Sequence, residues 1–600
     1  MAHENTSAAP SLGRRGPGRM GAPVEKPKDA SAALRRMAAY FRPELRSVLL
    51  LGGIVLAGVA CSVLAPSFQS DAIDAIVSGQ YGSLPQILGI MLAFYVIHGL
   101  VTLLQGYVSA SLSQRIVSRL RGELFDRIVH LPVSYIDTHS HGDLISRMTN
   151  DADNIGNIIS QSLTSLFSGV LTLIGTLVMM LHYSVPLGLL SCSTVVLTVL
   201  VTSFMSKHMR RFFLKRQELL GALNGTVEEM VGGCRTVTAY NMQERVIGDF
   251  TETADRLTKT GIIAEIIGNC MGPVMNTLSN ISFVIVSVFG AWFALKGYIT
   301  VGVISAFIIY SKQFSRPVNE LAQLYGQIQT AIAGAERVFS VLDTPPEDFA
   351  GEDAGEVQGI IEFRNVNFSY VPGKPVIRDF SLHIGSGKKI ALVGSTGSGK
   401  TTVINLLMRF YDIDSGEILL DGRNIRELSL DTLRDSIGIV LQDTKLFTDT
   451  VRGNLAYAVE NPTQEQLTQA ARFSYCERVI RRLPEGYDTV ITQSALSQGE
   501  QQLLAIGRAF LSYPRILILD EATSSVDTRT EQRIQQAMNK LMRDRTSLII
   551  AHRLSTIRDA DRIIVMDQGS IVESGTHTEL LAAKVKYYDL YMTQFAGNSI

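Results

Sequence analysis

The stretch KIALVGSTGSGKTTVINLL, Lys389 to Leu407, decides how this chain is read. KIALV is an apolar run of the kind that forms a buried strand, and TTVINLL opens a segment of helical periodicity. Between them Gly394, Gly399, Lys400 and Thr401 meet the phosphate-loop pattern GxxxxGK[ST]. Glycine frees the backbone from Gly394 through Ser395, Thr396, Gly397, Ser398 and Gly399 to wrap its N–H groups around a polyphosphate. The helix N-terminus that follows adds its partial positive charge. Lys400 is placed to reach the β- and γ-phosphates of ATP, Thr401 to ligate Mg²⁺, and Thr402 completes the nucleotide-contacting run.

Downstream, RILILDE gives a second buried strand that ends in Asp520 and Glu521. Alone, an apolar run before two acids is weak evidence. Beside a phosphate loop it supplies an aspartate for the Mg²⁺ shell and a glutamate to orient or deprotonate the attacking water. His552 follows the strand SLIIA and by itself reads as an ordinary strand-end histidine.

The N-terminal half is of another kind. Of 600 residues, 46% are hydrophobic and only 18% charged, and the charges thin out before about residue 320. Six apolar stretches, near 48–68, 86–110, 162–182, 184–205, 272–295 and 299–320, are each long enough to cross a bilayer as helix. Arg35, Arg36, Arg42 and Arg46 precede the first, and basic clusters separate the second from the third and the fourth from the fifth. The opposite loop, FQSDAIDAIVSGQYGSLPQ, holds no base, so both termini are expected in the cytoplasm of a multi-pass protein of the cell membrane. The basic segments RGELFDRIVHLPVSYIDTHSHGDLISRMTNDADNI and LNGTVEEMVGGCRTVTAYNMQERVIGDF have helical spacing and predict long extensions below the membrane.

The expected organisation is a disordered tail over 1–28, a six-helix transmembrane domain over 29–325, a linker over 326–358 and an α/β phosphate-loop domain with a helical subdomain over 359–600. With 55 basic against 56 acidic residues, charge gives no reason to expect nucleic acid as a partner. Five scattered cysteines without a CxxC pair support neither a metal site nor a disulfide framework. The absence of charge from the span centres argues against ion coupling and for hydrophobic or amphipathic cargo, with membrane lipids as neighbours. Asn276 and Asn280, four apart, either line a cavity or hydrogen-bond between helices.

Taken with Tyr370, Gln442 in IGIVLQDTKLF, LSQGE at Leu496–Glu500, SSVD ending at Asp527, and IIAHRL, the chain resembles the ATP-binding cassette exporters of the half-transporter type, the type IV fold. The resemblance runs from about residue 30 to the end. It implies that Tyr370 stacks on adenine, that Gln442 senses Mg²⁺, that Asp527 ends a loop crossing a dimer interface and that His552 contacts the γ-phosphate. It also implies an ATPase cycle that moves lipids, fatty acids or drugs, with export expected and uptake or an ATP-gated channel as rivals.

Two departures from the family pattern stand close together. The signature, usually LSGGQ, keeps Leu496, Ser497 and Gly499 but carries Gln498 and Glu500. Ser497 keeps its hydroxyl and Gly499 keeps close backbone approach, whereas Glu500 adds negative charge near a triphosphate. Just upstream, VITQSA at Val490–Ala495 replaces a longer acidic stretch, with Gln493 where Glu is common. A full hydrolytic set beside an altered signature suits one subunit of a heterodimer. A homodimer with two modified sites is the alternative.

Overall fold

The computed structural model describes residues 29–441, 444–520, 527–550 and 557–594. The chain divides into two compact units. One runs through the membrane half to Pro345 without Pro132–Asp137, and the second joins Pro132–Asp137 to the chain from Pro346 onward.

Among the described residues, five helical stretches are long and apolar enough to cross a membrane: Arg42–Val77, Tyr81–Val129, His141–Tyr183, Val185–Gly232 and Gln243–Leu295. The sixth expected span falls in the helix Val301–Asp343, where Val301–Phe314 is a shorter apolar stretch. The acidic stretch expected as an outer loop is largely helix, because Leu45–Val77 continues through Asp71 and Asp74. Asp74 accounts for this: its carboxylate accepts from Thr300 Oγ1 at 2.6 Å and from Gly302 N at 2.8 Å, tying the first helix to the start of the last. Helices Val185–Gly232 and Gln243–Leu295, of 48 and 53 residues, reach about 70–80 Å at 1.5 Å per residue. Hydrocarbon takes about 30 Å of that, so the rest forms the expected extensions. The third and fourth spans are separated by one extended residue, Ser184 (φ −161°, ψ 111°), with Pro186 in the first turn beyond it. Below them Arg337 grips Asp151, 6% exposed, through two bonds of 2.6 and 2.9 Å. The last helix runs on to Asp343, into the segment expected as a linker.

The second unit carries strands β1 (Ile361–Phe368), β2 (Ile377–Ile384), β3 (Lys389–Val393), β4 (Ser415–Leu420), β5 (Arg423–Asn424), β6 (Ile437–Val440), β7 (Asp449–Thr450), β8 (Val490–Ile491), β9 (Ile516–Asp520), β10 (Thr546–Ile550), β11 (Arg562–Asp567) and β12 (Ser570–Gly575). A six-stranded sheet has the order β12-β11-β3-β10-β9-β6, parallel except at β12. A four-stranded antiparallel sheet has the order β2-β1-β4-β5. Between the sheets lies a core of Ile361, Phe363, Phe380, Leu392, Val403, Leu407, Ile518 and Leu548. KIALV and ILILD read as near-continuous apolar runs because parallel strands are buried on both faces. A second core packs Leu455, Leu467, Ile480, Leu503 and Ile506 with Leu519 and Ile534, which joins the helical part to the sheet.

Candidate nucleotide-binding site

Four motif strands end on one edge of the large sheet. Ile550 pairs in register with both Leu392 and Asp520, and Leu519 pairs with Val440. The phosphate loop, Asp520 and the segments after β6 and β10 therefore leave the sheet from the same side, the crevice at the carboxyl ends of parallel strands where ligands bind. Gln442, Glu521 and His552 follow these strands and lie outside the described residues.

The loop from Gly394 to Gly399 is built around close approach. Gly399 has φ +101°, and a Cβ there would meet Ile377 Cδ1 at 2.8 Å. At Gly394 a Cβ would lie 2.3 Å from the carbonyl oxygen of Met566, so only glycine fits. Ser395, Thr396 and Gly397 are exposed along the loop, whereas Ser398 is buried. Lys400 is itself 8% exposed. Its ammonium donates to the carbonyls of Gly394 and Ser395, both at 2.9 Å, and to Ser398 Oγ at 3.4 Å. Burial pushes its pKa below the usual lysine value, and the nearby charge of Asp520 partly opposes this. A buried cation held by neutral acceptors is matched by an incoming polyphosphate, so the loop fits the nucleotide. Thr401 is exposed at the helix start and Asp520 is half-buried at the end of β9. A hydroxyl and a carboxylate are oxygen donors of the kind Mg²⁺ takes alongside substrate phosphates.

Tyr370 is brought to the phosphate-loop helix, Lys400–Leu407. Its hydroxyl donates to Thr402 Oγ1 and accepts from Asn405 Nδ2, each at 3.3 Å. Phe368 and Tyr411 meet its ring edge-on at 4.8 and 4.9 Å, and it stays 43% exposed. Sequence reasoning missed Tyr411. Its hydroxyl bonds Asp137 at 2.6 Å, and Asp137 belongs to Pro132–Asp137, the piece between the second and third spans that groups with this unit. Burial first, and then this bond, hold the Tyr411 phenol well above its ordinary pKa. Asp137 stands in the short helix Val133–Thr138, and its sequence pattern does not point to Tyr411.

Ser497 caps the helix Gln498–Leu511, with Gly499 buried in its first turn. Glu500 closes a reciprocal box. Ser497 N and Ser497 Oγ each donate to Glu500 Oε2 at 3.1 Å, while Glu500 N donates back to Ser497 Oγ at 3.4 Å. The other carboxylate oxygen is held by Arg482, at the end of the helix Glu477–Arg482. The short VITQSA loop is also firmly tied. Gln493 Oε1 accepts from Leu446 N at 2.7 Å, and Gln493 Nε2 donates to Thr444 O at 2.9 Å and to Gln501 Oε1 at 3.1 Å. Gln501 returns bonds to the carbonyls of Gln493 and Leu496 at 2.7 and 2.9 Å. Two neutral amides thus join this loop to the signature helix and to the chain just after Gln442. Asp527 caps Thr528–Leu541 by accepting from Thr530 N and Arg529 N, and these bonds, that of Thr530 first, hold its carboxyl below the usual range.

Known proteins share both halves. The ABC transporter transmembrane region matches residues 48–318, and the ABC transporter family matches residues 377–524. An uncharacterised ABC transporter ATP-binding protein, YfiC, of Bacillus subtilis is 40% identical over 95% of each chain. The fatty acid ABC transporter ATP-binding/permease protein of Mycobacterium tuberculosis is 42% identical, over 86% of this chain and 83% of that one. The ATP-dependent lipid A-core flippase of Escherichia coli K12 is 34% identical, over 90% and 95%. With a membrane region and a phosphate-loop ATPase in one polypeptide, the chain belongs to the ABC transporters and is a half-transporter of their exporter type.

Proposed function

We propose that this half-transporter uses ATP hydrolysis to export amphipathic molecules with acyl chains, lipids or fatty acids, across the cell membrane, with both termini in the cytoplasm. The observation that carries the reading is the common edge at which Gly394–Lys400, Asp520 and the segments leading to Gln442 and His552 leave the sheet. The fatty acid transporter and the lipid A-core flippase among its relatives support lipid-like cargo, as does the want of charge in the span centres.

In this reading Tyr370 stacks on the adenine, and the backbone from Gly394 to Gly399 wraps the phosphates. Lys400 exchanges its carbonyl partners for phosphate oxygens. Thr401, Asp520 and Gln442 hold Mg²⁺, which when bound neutralises charge on the phosphates. Glu521 orients and deprotonates the attacking water, and His552 contacts the γ-phosphate side. Ser497 and Gly499 serve the nucleotide of a second half-transporter, and Asp527 shapes the loop between subunits. The altered signature beside a complete hydrolytic set supports a heterodimer.

The test is ATP turnover of this chain alone in lipid nanodiscs, beside Glu521→Gln, with and without added fatty acids and phospholipids. Turnover that lipid stimulates and Glu521→Gln abolishes supports the ATPase reading and makes the working unit a homodimer. Folded, ATP-binding protein without turnover directs the work to a partner subunit. Turnover that survives Glu521→Gln overturns the assignment of the base.

A further inference from the structure

The signature of this chain has a charge problem and carries a local answer to it. Glu500 stands in the first turn of Gln498–Leu511, where a carboxylate is favoured by the helix dipole and by the capping box. The same place lies beside Ser497, whose single hydroxyl proton is given to Glu500 Oε2 at 3.1 Å. A hydroxyl that donates to a carboxylate is not donating to a phosphate. The carboxylate therefore competes with nucleotide for the Ser497 proton, and it repels the nucleotide's charge. Arg482 comes from a separate helix and is 64% exposed, and it takes the other oxygen of a carboxylate that is only 21% exposed. Its neighbour Arg481 is engaged elsewhere, on Glu477 at 2.7 Å.

We propose that Arg482 and Glu500 are positioning residues that set how tightly the signature of this chain engages ATP. Glu500 holds the Ser497 hydroxyl when nucleotide is absent. Arg482 neutralises the carboxylate and weakens its hold on the Ser497 proton, so that the hydroxyl can turn to the γ-phosphate bound by the facing subunit. The proposal rests on the reading that Ser497 serves a nucleotide across the dimer.

The test is a charge cycle in the assembled transporter in nanodiscs: Arg482→Gln, Glu500→Gln and the double variant, read by the ATP KM of turnover and by retention of labelled Mg·ATP. Glutamine at position 500 keeps an acceptor for the capping box, so the helix start is preserved. Arg482→Gln is expected to raise KM about fivefold with kcat little changed, and the rise is expected to shrink as salt increases, because the pair is partly exposed. Glu500→Gln lowers KM, and Arg482→Gln added to it changes nothing further. An Arg482→Gln effect of the same size in both backgrounds overturns the proposal, as does a shift in melting midpoint with KM and retention unmoved. Ser497→Ala separates the two levels. If it leaves KM and retention unchanged, the underlying reading of the signature fails. If it raises KM while the charge variants do not, only the role of Arg482 and Glu500 fails.

Discussion

Lys400 shows how one residue is set against the stability of its own fold. Its pKa lies below the unfolded value, so the unfolded chain binds the proton more tightly, and the folded cassette bears the burial cost at every pH below that lowered value. Stability rises with pH through the window between the lowered value and the ordinary lysine value. Lys400→Met removes the charge, and the nucleotide-free cassette is expected to melt about 2 °C higher by scanning calorimetry while ATP turnover falls more than about 100-fold. An unchanged or lower midpoint would contradict the account of an ammonium whose burial costs more than its neighbours return. Gln493 carries a second prediction. The residue common at its place in the family is glutamate, which cannot donate to Thr444 O. Gln493→Glu turns a carboxylate oxygen on Thr444 O and Gln501 Oε1, and the repulsion is expected to swing the side chain off Leu446 N, speed hydrogen exchange there and cut turnover several-fold, although it moves the sequence toward its relatives. The strand, glycine loop and helix around Lys400 were legible because the motif's spacing fixes its backbone form. The bonds of Glu500 to Arg482 and of Gln493 to Thr444 were not, since these partners reach them only through tertiary packing.

At the scale of elements, the strands and the long helices were legible from periodicity, whereas their ends were not. The helix Leu45–Val77 runs through an expected loop because Asp74 accepts two bonds from the start of Val301–Asp343, a tertiary cause that sequence spacing does not show. Gly302 marks that contact: a Cβ would lie 2.1 Å from Ser70 O and 2.7 Å from the Asp74 carboxylate. Gly302→Ala is expected to cost about 1–3 kcal/mol, read as a lower melting midpoint in nanodiscs. The Pro132–Asp137 segment was read as part of a helical extension, but its partner was not, since nothing in its pattern names Tyr411. Tyr411→Phe removes the bond to Asp137 but keeps the ring beside Tyr370. Its expected result is a several-fold loss of lipid-stimulated turnover with the ATP KM little changed. A rise in KM with stimulation intact would place Tyr411 in nucleotide binding instead.

For the whole molecule, the two-part organisation was visible in hydropathy and charge alone, while the cargo was not, because residues that line a cavity and residues that pack helices share one composition. Asn276 and Asn280 illustrate this, both being exposed along Gln243–Leu295. The junction at Ser184 has a consequence for how the protein is made. Tyr183 ends one span, Val185 begins the next, and Gly188 lets the second helix turn close over Met180. With one residue between them, the two spans have no loop to be carried across the bilayer. The pair is therefore expected to enter the membrane together as a hairpin, with Pro186 in the first turn of the second helix disfavouring one continuous helix through Ser184. A turn one residue long thus fixes these two spans as neighbours in the chain and in the bilayer.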